Sequence, residues 1–452
     1  MGLFSENSIK AEINRRISPT KLILGVFLMI ILLGTLLLML PQASAAGKGT
    51  DFITALFTAT SATCITGLSV VDTLSHWSGF GEVVILVLIQ CGGLGFMVFA
   101  TIFSIAVKRR ISLRERIIMI QTFSVDEISG IVRLARNIFR RTFVFELLGA
   151  TLLSVRFIPQ FGIGKGIYKG IFHAVSAFCN AGFDILGKTS VMEYSGDPIV
   201  LITLATLSIF GGLGFFVWED VREKKSFRAC GLHTKLVLIT TAAIIVLGTA
   251  LFTIFEYQNP ATMGDSGFLG KLLSSFFQTS TSRTMGFYSI QQAEMTSSSK
   301  LLTLLIMFIG GSSGSTAGGI KTVTFAVLCL SALSIMRGKE EVTAFGRRIS
   351  VYAIMKSIAV TIVAVFLILV GAIIISISGS VDMFDAVFEC VSAFSTTGLT
   401  MGITSQLNAI SKIVLVILMY LGRVGLLTLS LGILIGRKKT KISHPEGKTI
   451  SG

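Results

Sequence analysis

The chain has 452 residues, of which 52% are hydrophobic and only 14% are charged, and its mean hydropathy is +0.81. A soluble domain carries about 25% charged residues, because its surface must be wetted. The composition therefore excludes a water-soluble protein of this size and predicts an integral membrane protein.

The net charge of +15 has two candidate explanations, a nucleic-acid partner or an uneven distribution of charge across a membrane. Basic residues cluster in alternate loops of the apolar map, near Lys10–Arg16, Lys108–Arg141, Arg222–Lys235, Arg337–Arg348 and Arg437–Lys441. Cytoplasmic loops of membrane proteins are enriched in Lys and Arg. We therefore expect a multi-pass plasma-membrane protein with both termini in the cytoplasm and with no nucleic-acid partner.

Eight apolar runs along the chain are suitable for crossing a bilayer, since a membrane-spanning helix needs about 20 residues. They lie at 21–40, 82–107, 138–158, 197–218, 233–256, 301–336, 351–379 and 410–436. The first run, with Ala43-Ser44-Ala45 behind it, also has features of a cleaved signal peptide. It is longer than a usual signal core and begins the first of four repeats, so we expect it to be retained.

Between the two runs of each pair lies a shorter apolar stretch that ends in glycine and is too short to span. Each stretch has Ser six residues before its glycine and Leu or Phe directly after it. The four serine–glycine pairs are Ser61 and Gly67, Ser176 and Gly182, Ser280 and Gly286, and Ser392 and Gly398. An aromatic residue precedes each serine: Phe57, Phe172, Phe276 and Phe388.

The chain is therefore predicted to be an all-α membrane protein of four tandem units around one central pore, with pseudo-fourfold symmetry like that of a potassium channel. Each unit consists of a span, a re-entrant pore helix and a second span. The predicted segments are a cytoplasmic N-terminus (1–20), repeat 1 (21–107), repeat 2 with the cytoplasmic loop before it (108–218), repeat 3 with a broken second span (219–336), repeat 4 (337–436) and a cytoplasmic tail (437–452).

Four glycine loops at membrane depth predict a cation pathway, because ring-like sets of backbone carbonyls can replace the hydration shell of an ion. The alternative is that each glycine only permits close helix packing. The glycines carry no ring of acids of the kind that selects divalent ions, so a monovalent cation is favoured. Asp184 is a lone acid nearby that either attracts cations or caps local structure.

At this point the residues resemble the Trk/Ktr/HKT potassium transporters, most closely the bacterial Ktr membrane subunit, over nearly the whole chain. The resemblance implies that each repeat contributes one strand to a potassium-selectivity filter. The implied filter residues are Ile65, Thr66, Gly67 and Leu68; Asn180, Ala181, Gly182 and Phe183; Thr284, Met285, Gly286 and Phe287; and Thr396, Thr397, Gly398 and Leu399. By the same resemblance, an intact Gly67 favours potassium over sodium as the transported ion. The question whether sodium is also transported or stimulates transport stays open.

The run 301–336 would be about 54 Å long as a straight helix, whereas the hydrocarbon core is about 30 Å thick. We expect it to break at a glycine-rich segment, either as a kink for packing or as a loop lining a cavity. The resemblance implies an intramembrane gate below the filter, formed by Gly310, Gly311, Ser312, Ser313, Gly314, Ser315, Thr316, Ala317, Gly318 and Gly319.

Arg423 lies in the last apolar run, and the resemblance places it at the constriction beside this gate. It either repels cations, pairs with loop carbonyls or pairs with an acid in packing. Arg283 is predicted to brace the pore helices, whereas Lys321 either bonds to the loop or extends to the interface.

The sequence does not predict an enzyme or a cofactor site in this chain. Gly310-Gly311-Ser312-Ser313-Gly314 matches the nucleophile-elbow spacing, but it interrupts an apolar helix and lacks the partners that motif needs. The resemblance implies a homodimer that binds a cytosolic ring of nucleotide-binding Ktr regulatory subunits, although the basic loops could equally hold anionic lipid. The alternative function is a sodium- or proton-coupled secondary transporter, which parallel repeats and a single broken helix disfavour.

Overall fold

The structure is a computed structural model that describes residues 19–95 and 131–425, and these residues are mostly helical. The first part contains α1 (Pro19–Leu38), α2 (Phe52–Thr63), α3 (Thr73–His76) and α4 (Gly79–Leu94). The second part contains α5 (Ile131–Phe161), α6 (Ile163–Phe178), α7 (Pro198–Leu213), α8 (Phe215–Lys224), α9 (Leu232–Glu256), α10 (Phe268–Ser282), α11 (Ser297–Ile309), α12 (Thr322–Met336), α13 (Val351–Gly379), α14 (Met383–Ser395) and α15 (Ala409–Tyr420).

Short elements complete the described chain. A two-stranded antiparallel hairpin joins β1 (Thr343–Ala344) to β2 (Arg347–Arg348), and α15 continues as a π-helical turn over Leu421–Gly425. Single 3₁₀ turns lie at Pro41–Ala43, Met192–Tyr194, Gln292–Glu294 and Thr404–Gln406.

Four of the helices, α2, α6, α10 and α14, have only 12 to 16 residues and end just before the four glycines. At 1.5 Å per residue they are about 18–24 Å long, too short to cross a hydrocarbon core of about 30 Å. Two of these helices have an aspartate as N-cap: the side chains of Asp51 in α2 and Asp382 in α14 accept hydrogen bonds from backbone N–H groups of the first turn. Their inner faces are buried, with Phe57, Phe172 and Phe388 fully enclosed.

Within the described residues, three helices are long and apolar enough to span a membrane: Val132–Phe161, Leu232–Glu256 and Val351–Gly379. These coincide with the predicted spans 138–158, 233–256 and 351–379. The predicted spans 82–107 and 410–436 extend beyond Gly95 and Gly425, outside the described residues. The number of eight spans therefore stays a prediction.

The expectation of a single broken helix is wrong. The predicted span 197–218 is divided into α7 and α8, which are bent by 87° at Gly214. Gly214 has a φ of +98°, a conformation that favours glycine, and the Phe215 N–H donates to the Gly314 carbonyl at 2.9 Å. The break is therefore compensated by a backbone bond to the segment between α11 and α12. That segment, residues 310–321, interrupts the run 301–336 and is called the glycine loop below.

Candidate functional site

The four glycines that follow α2, α6, α10 and α14 meet in a closed ring. A Cβ atom added to Gly67 would lie 2.9 Å from the Cα of Gly182, and one added to Gly182 would lie 2.9 Å from the Cα of Gly286. A Cβ on Gly286 would lie 2.6 Å from the Thr397 carbonyl, and one on Gly398 would lie 3.0 Å from the Cα of Gly67. The contacts run in repeat order and then return to the first repeat.

Each glycine also faces a carbonyl of the next repeat in the same way. The Cβ position points to the carbonyl oxygen of the residue that precedes the next glycine around the ring. These carbonyls belong, in order, to Ala181, Met285, Thr397 and Thr66. A side chain at any of the four positions would therefore enter the space that a neighbouring carbonyl occupies, and the glycines are a steric requirement of the ring.

The backbone conformation repeats as well. The residue two before each glycine has a positive φ: +56° at Ile65, +56° at Asn180, +74° at Thr284 and +53° at Thr396. This left-handed conformation costs a non-glycine residue about 1–2 kcal/mol, and it is a clear outlier for a β-branched residue such as Ile65. Backbone strain of this kind clusters at functional sites in proteins, and here it recurs at four corresponding positions.

Hydroxyl groups on the short helices form hydrogen bonds with the backbone around each glycine. The segment around each glycine is called a strand below, and repeat 3 differs from the other repeats in register. Ser61 Oγ accepts from the Gly67 N–H at 3.1 Å, and Ser392 Oγ accepts from the Gly398 N–H at 3.1 Å. Ser176 Oγ instead donates to the Phe183 carbonyl at 2.7 Å.

In repeat 3 the corresponding bond to the Phe287 carbonyl comes from Thr281, and Ser280 bonds back to its own helix through the Phe276 carbonyl. Phe277, rather than Phe276, is fully buried. The alignment of Ser280 and Phe276 with the other repeats is therefore wrong by one residue. The reason is a tighter helix end, where the Met285 N–H bonds to the Thr281 carbonyl four residues back, whereas the other repeats reach five residues back.

A cavity of about 440 Å³ opens on one side of the ring and is lined by all four glycines. The residue two positions after each glycine also lines it: Ser69, Asp184, Tyr288 and Thr400. Asp72 lines the same cavity and was not among the residues singled out from the sequence. Counting two positions from each glycine would have found the first four, whereas no sequence signal marked Asp72.

Asp184 is half-buried at this cavity and accepts from the Leu186 N–H at 3.3 Å. Burial raises the pKa of its carboxyl to about 6, although the hydrogen bond from the Leu186 N–H opposes the rise. The carboxyl is therefore ionised at neutral pH and becomes neutral under mildly acidic conditions.

The glycine loop lies directly against the residues before the glycine ring. Thr316 Oγ1 accepts from Asn180 Nδ2 at 3.1 Å and donates to the Phe178 carbonyl at 3.1 Å. A Cβ added to Gly318 would run into the Thr396 side chain. The loop therefore contacts the left-handed residues of repeats 2 and 4, Asn180 and Thr396.

Arg423 joins the loop to repeat 1 through backbone carbonyls. Its guanidinium donates to the Thr316 carbonyl at 2.6 Å and to the carbonyls of Gly92 and Gly93, at the end of α4, at 2.7 and 3.3 Å. Lys321 Nζ donates to the Ala317 carbonyl at 2.8 Å, so it bonds to the loop. Arg283 donates to Thr241 of α9 at 3.3 Å.

The chain is similar to known proteins over nearly its whole length. The family model described as TrkH, cation transport protein, matches residues 14–444. The chain is 40% identical to the potassium/sodium uptake protein NtpJ of Enterococcus hirae, covering 98% of this chain and 99% of that protein. It is also 40% identical to the Ktr system potassium uptake protein B of Bacillus subtilis, covering 96% of each.

Among solved structures, the fold is similar to the crystal structure of the potassium transporter TrkH from Vibrio parahaemolyticus. The TM-score is 0.72 at 18% identity, over 94% of this chain and 86% of that one. The family match and the fold are those of a membrane cation transport protein. The chain belongs to the TrkH family of cation transport proteins, and the resemblance inferred from the sequence is confirmed.

Proposed function

We propose that this chain is the potassium-translocating membrane subunit of a Ktr/Trk-type uptake system, which conducts through a filter of four glycine strands. The observation that carries the proposal is the closed ring of Gly67, Gly182, Gly286 and Gly398, in which each glycine faces a carbonyl of the next repeat. The names of the relatives NtpJ and Ktr protein B, a potassium/sodium and a potassium uptake protein, support this assignment.

The ring is suited to a dehydrated monovalent cation. In each strand, a residue with left-handed backbone conformation is followed two positions later by a glycine that also has a positive φ. This backbone path brings carbonyls to one axis, where they replace water around the ion. The four short helices end at the ring, so their negative C-terminal dipole ends face the ion. The four repeats then surround one pore, with α2, α6, α10 and α14 as its re-entrant pore helices.

The glycine loop is the proposed gate, since it lies against Asn180 and Thr396 on the strands and is tied to Arg423. In this arrangement the loop blocks the pathway, and its withdrawal requires the Arg423 bonds to break. Conduction in vivo would be regulated by a cytosolic ring of nucleotide-binding Ktr subunits on a homodimer in the plasma membrane, with anionic lipid on the basic loops.

Uptake into proteoliposomes that hold the purified chain tests the filter, with potassium, rubidium and sodium compared. Wild type should favour potassium and rubidium. Gly67→Ser should lower that preference by about tenfold, because its side chain would meet the Ala181 carbonyl and displace an ion ligand. Flux without preference, or a variant equal to wild type, would mean that the glycines serve packing alone.

The second break, at Gly214, is the observation that favours a sodium- or proton-coupled secondary transporter, because paired broken helices are typical of that class. The same liposomes separate the two functions. A channel-like pathway carries rubidium down its own gradient when sodium and proton gradients are absent, whereas a coupled transporter accumulates rubidium only when one of them is imposed.

Asp184→Asn should raise the potassium concentration for half-maximal uptake by about threefold at pH 7.5, because a negative charge at the mouth concentrates cations. Since the pKa of Asp184 is about 6, wild type should lose the same advantage when the outer pH falls to 5. The asparagine variant should change less over this range. Equal pH profiles for both proteins would exclude Asp184 as the titrating group.

A further inference from the structure

Two fully buried side chains lie behind the strands that follow the glycine ring in repeats 2 and 4. His173 on α6 and Glu389 on α14 each precede the glycine of their repeat by nine residues, and both are 0% exposed. A buried ionisable group is costly unless its hydrogen bonds are satisfied, so the partners of these two side chains are informative.

The partners of Glu389 all belong to the strand beyond Gly398. Its carboxylate accepts from the Met401 N–H at 3.2 Å, from the Thr404 hydroxyl at 2.9 Å and from the Thr400 hydroxyl. Thr400 lines the outer cavity two residues after the glycine. Glu389 therefore fixes both the backbone and the hydroxyl of the residues at the mouth of repeat 4.

The imidazole of His173 makes the corresponding bond in repeat 2. Its Nδ1 lies 2.7 Å from the Lys169 carbonyl, which can only accept, so Nδ1 carries the proton. Nε2 then accepts from the Ile185 N–H at 3.4 Å. Ile185 follows Gly182 by three residues, just as Met401 follows Gly398, and its neighbour Asp184 lines the cavity.

The corresponding positions in the other two repeats do not make this bond. Thr58 of repeat 1 donates to the Thr54 carbonyl of its own helix at 2.9 Å. In repeat 3, where the helix end is one residue tighter, Gln278 donates to the side chain of Gln292 at 2.8 Å. Among the described residues, the bond from a helix side chain to the amide three residues after the glycine is therefore made in repeats 2 and 4, which lie opposite each other in the ring.

We propose that Glu389 and His173 are positioning residues that set the width and ion preference of the outer mouth by holding the Met401 and Ile185 amides. This inference rests on the proposed function, because it concerns the same cation pathway. A rigid mouth at repeats 2 and 4 keeps the Thr400 hydroxyl and the Asp184 carboxylate at fixed positions, where a monovalent cation sheds its water. A mouth that relaxes there adapts to the smaller sodium ion.

The test is the potassium-to-sodium uptake ratio of the full chain in proteoliposomes. Glu389→Leu and His173→Leu should each lower this ratio by about tenfold, because each leaves a backbone N–H without its acceptor. Glu389→Gln and His173→Gln retain an acceptor oxygen and should stay within about twofold of wild type. Thr58→Val is the matched control, buried at the same position of repeat 1, and should leave the ratio unchanged.

Thr404→Val provides a second route if a leucine variant fails to fold, since Thr404 lies outside the cavity lining and its hydroxyl bonds to Glu389 and to the Thr400 hydroxyl. It should lower the ratio about threefold, because one hydrogen bond to a charged group is lost. Leucine or valine variants with an unchanged ratio would overturn the positioning role and leave the filter standing. Absence of potassium preference in wild type would instead overturn the proposed function itself.

Discussion

Gly398→Ala is expected to lower potassium uptake by about two orders of magnitude, the largest loss among the four ring glycines. Its Cβ would run into the Thr66 carbonyl, the closest of the four such approaches, and its φ of +90° is strained for alanine. Neither the Thr66 carbonyl nor the Gly398 backbone can yield without disturbing the ring. Rubidium uptake into proteoliposomes at equal protein content measures the effect.

Gly402→Ala is the matched control, because it separates the collision from the backbone strain. Gly402 lies four residues further along the same strand, has a φ of +92°, and has no atom within 4 Å of its Cβ position. Alanine there costs about 1–2 kcal/mol of folding stability and should leave uptake near wild type. If the two variants lost uptake equally, strain would explain both, and the ring would not be the ion pathway.

The four glycines and the loop 310–319 could be predicted from the sequence because their chemistry is uncommon in apolar segments. A glycine that ends a short apolar stretch and recurs in four repeats predicts one conformation four times, and positive φ values occur at all four. A run of about 54 Å cannot remain one helix in a core of about 30 Å, so an interruption in 301–336 followed from length alone.

The register of repeat 3 could not be predicted, because its sequence offers two equally good choices. Phe276 is followed by Phe277, and Ser280 by Thr281, so an aromatic ring and a hydroxyl are available in either register. Only the tighter helix end selects the second choice. The break at Gly214 was missed for a related reason, since it depends on a partner, the Gly314 carbonyl, that is distant in sequence.

The hydrogen-bond partners of Arg423 also could not be predicted from the sequence. An arginine in an apolar run predicts a buried partner, but a carboxylate, a carbonyl and a water-filled cavity satisfy it equally. The structure selects carbonyls of two different repeats, Thr316 in the glycine loop and Gly92 and Gly93 at the end of α4. The acceptors are carbonyls without any side-chain signature, and therefore no pattern of residues indicates them.

Arg423→Leu is expected to raise basal uptake by about tenfold or more in the absence of any regulatory subunit. The substitution removes the bonds that hold the proposed gate to repeat 1, and hydrogen bonds to charged groups contribute about 1.5–3 kcal/mol each. A tenfold shift in a gating equilibrium needs only about 1.4 kcal/mol. Uptake of rubidium into proteoliposomes measures the change, with Lys412→Met in the first turn of α15, where the lysine is half-buried, as the control for lost charge.

Arg423→Lys then separates the two mechanisms by which an arginine can close the pathway. Lysine keeps the positive charge but cannot span the Thr316 and Gly92 carbonyls with a planar fork. If Arg423 acts as an anchor for the loop, the lysine variant should conduct nearly as well as the leucine variant. If it acts as a charge barrier, the lysine variant should stay closed like wild type. The geometry predicts the first result, because both terminal nitrogens of the guanidinium are used, one for the Thr316 carbonyl and the other for the carbonyls of Gly92 and Gly93.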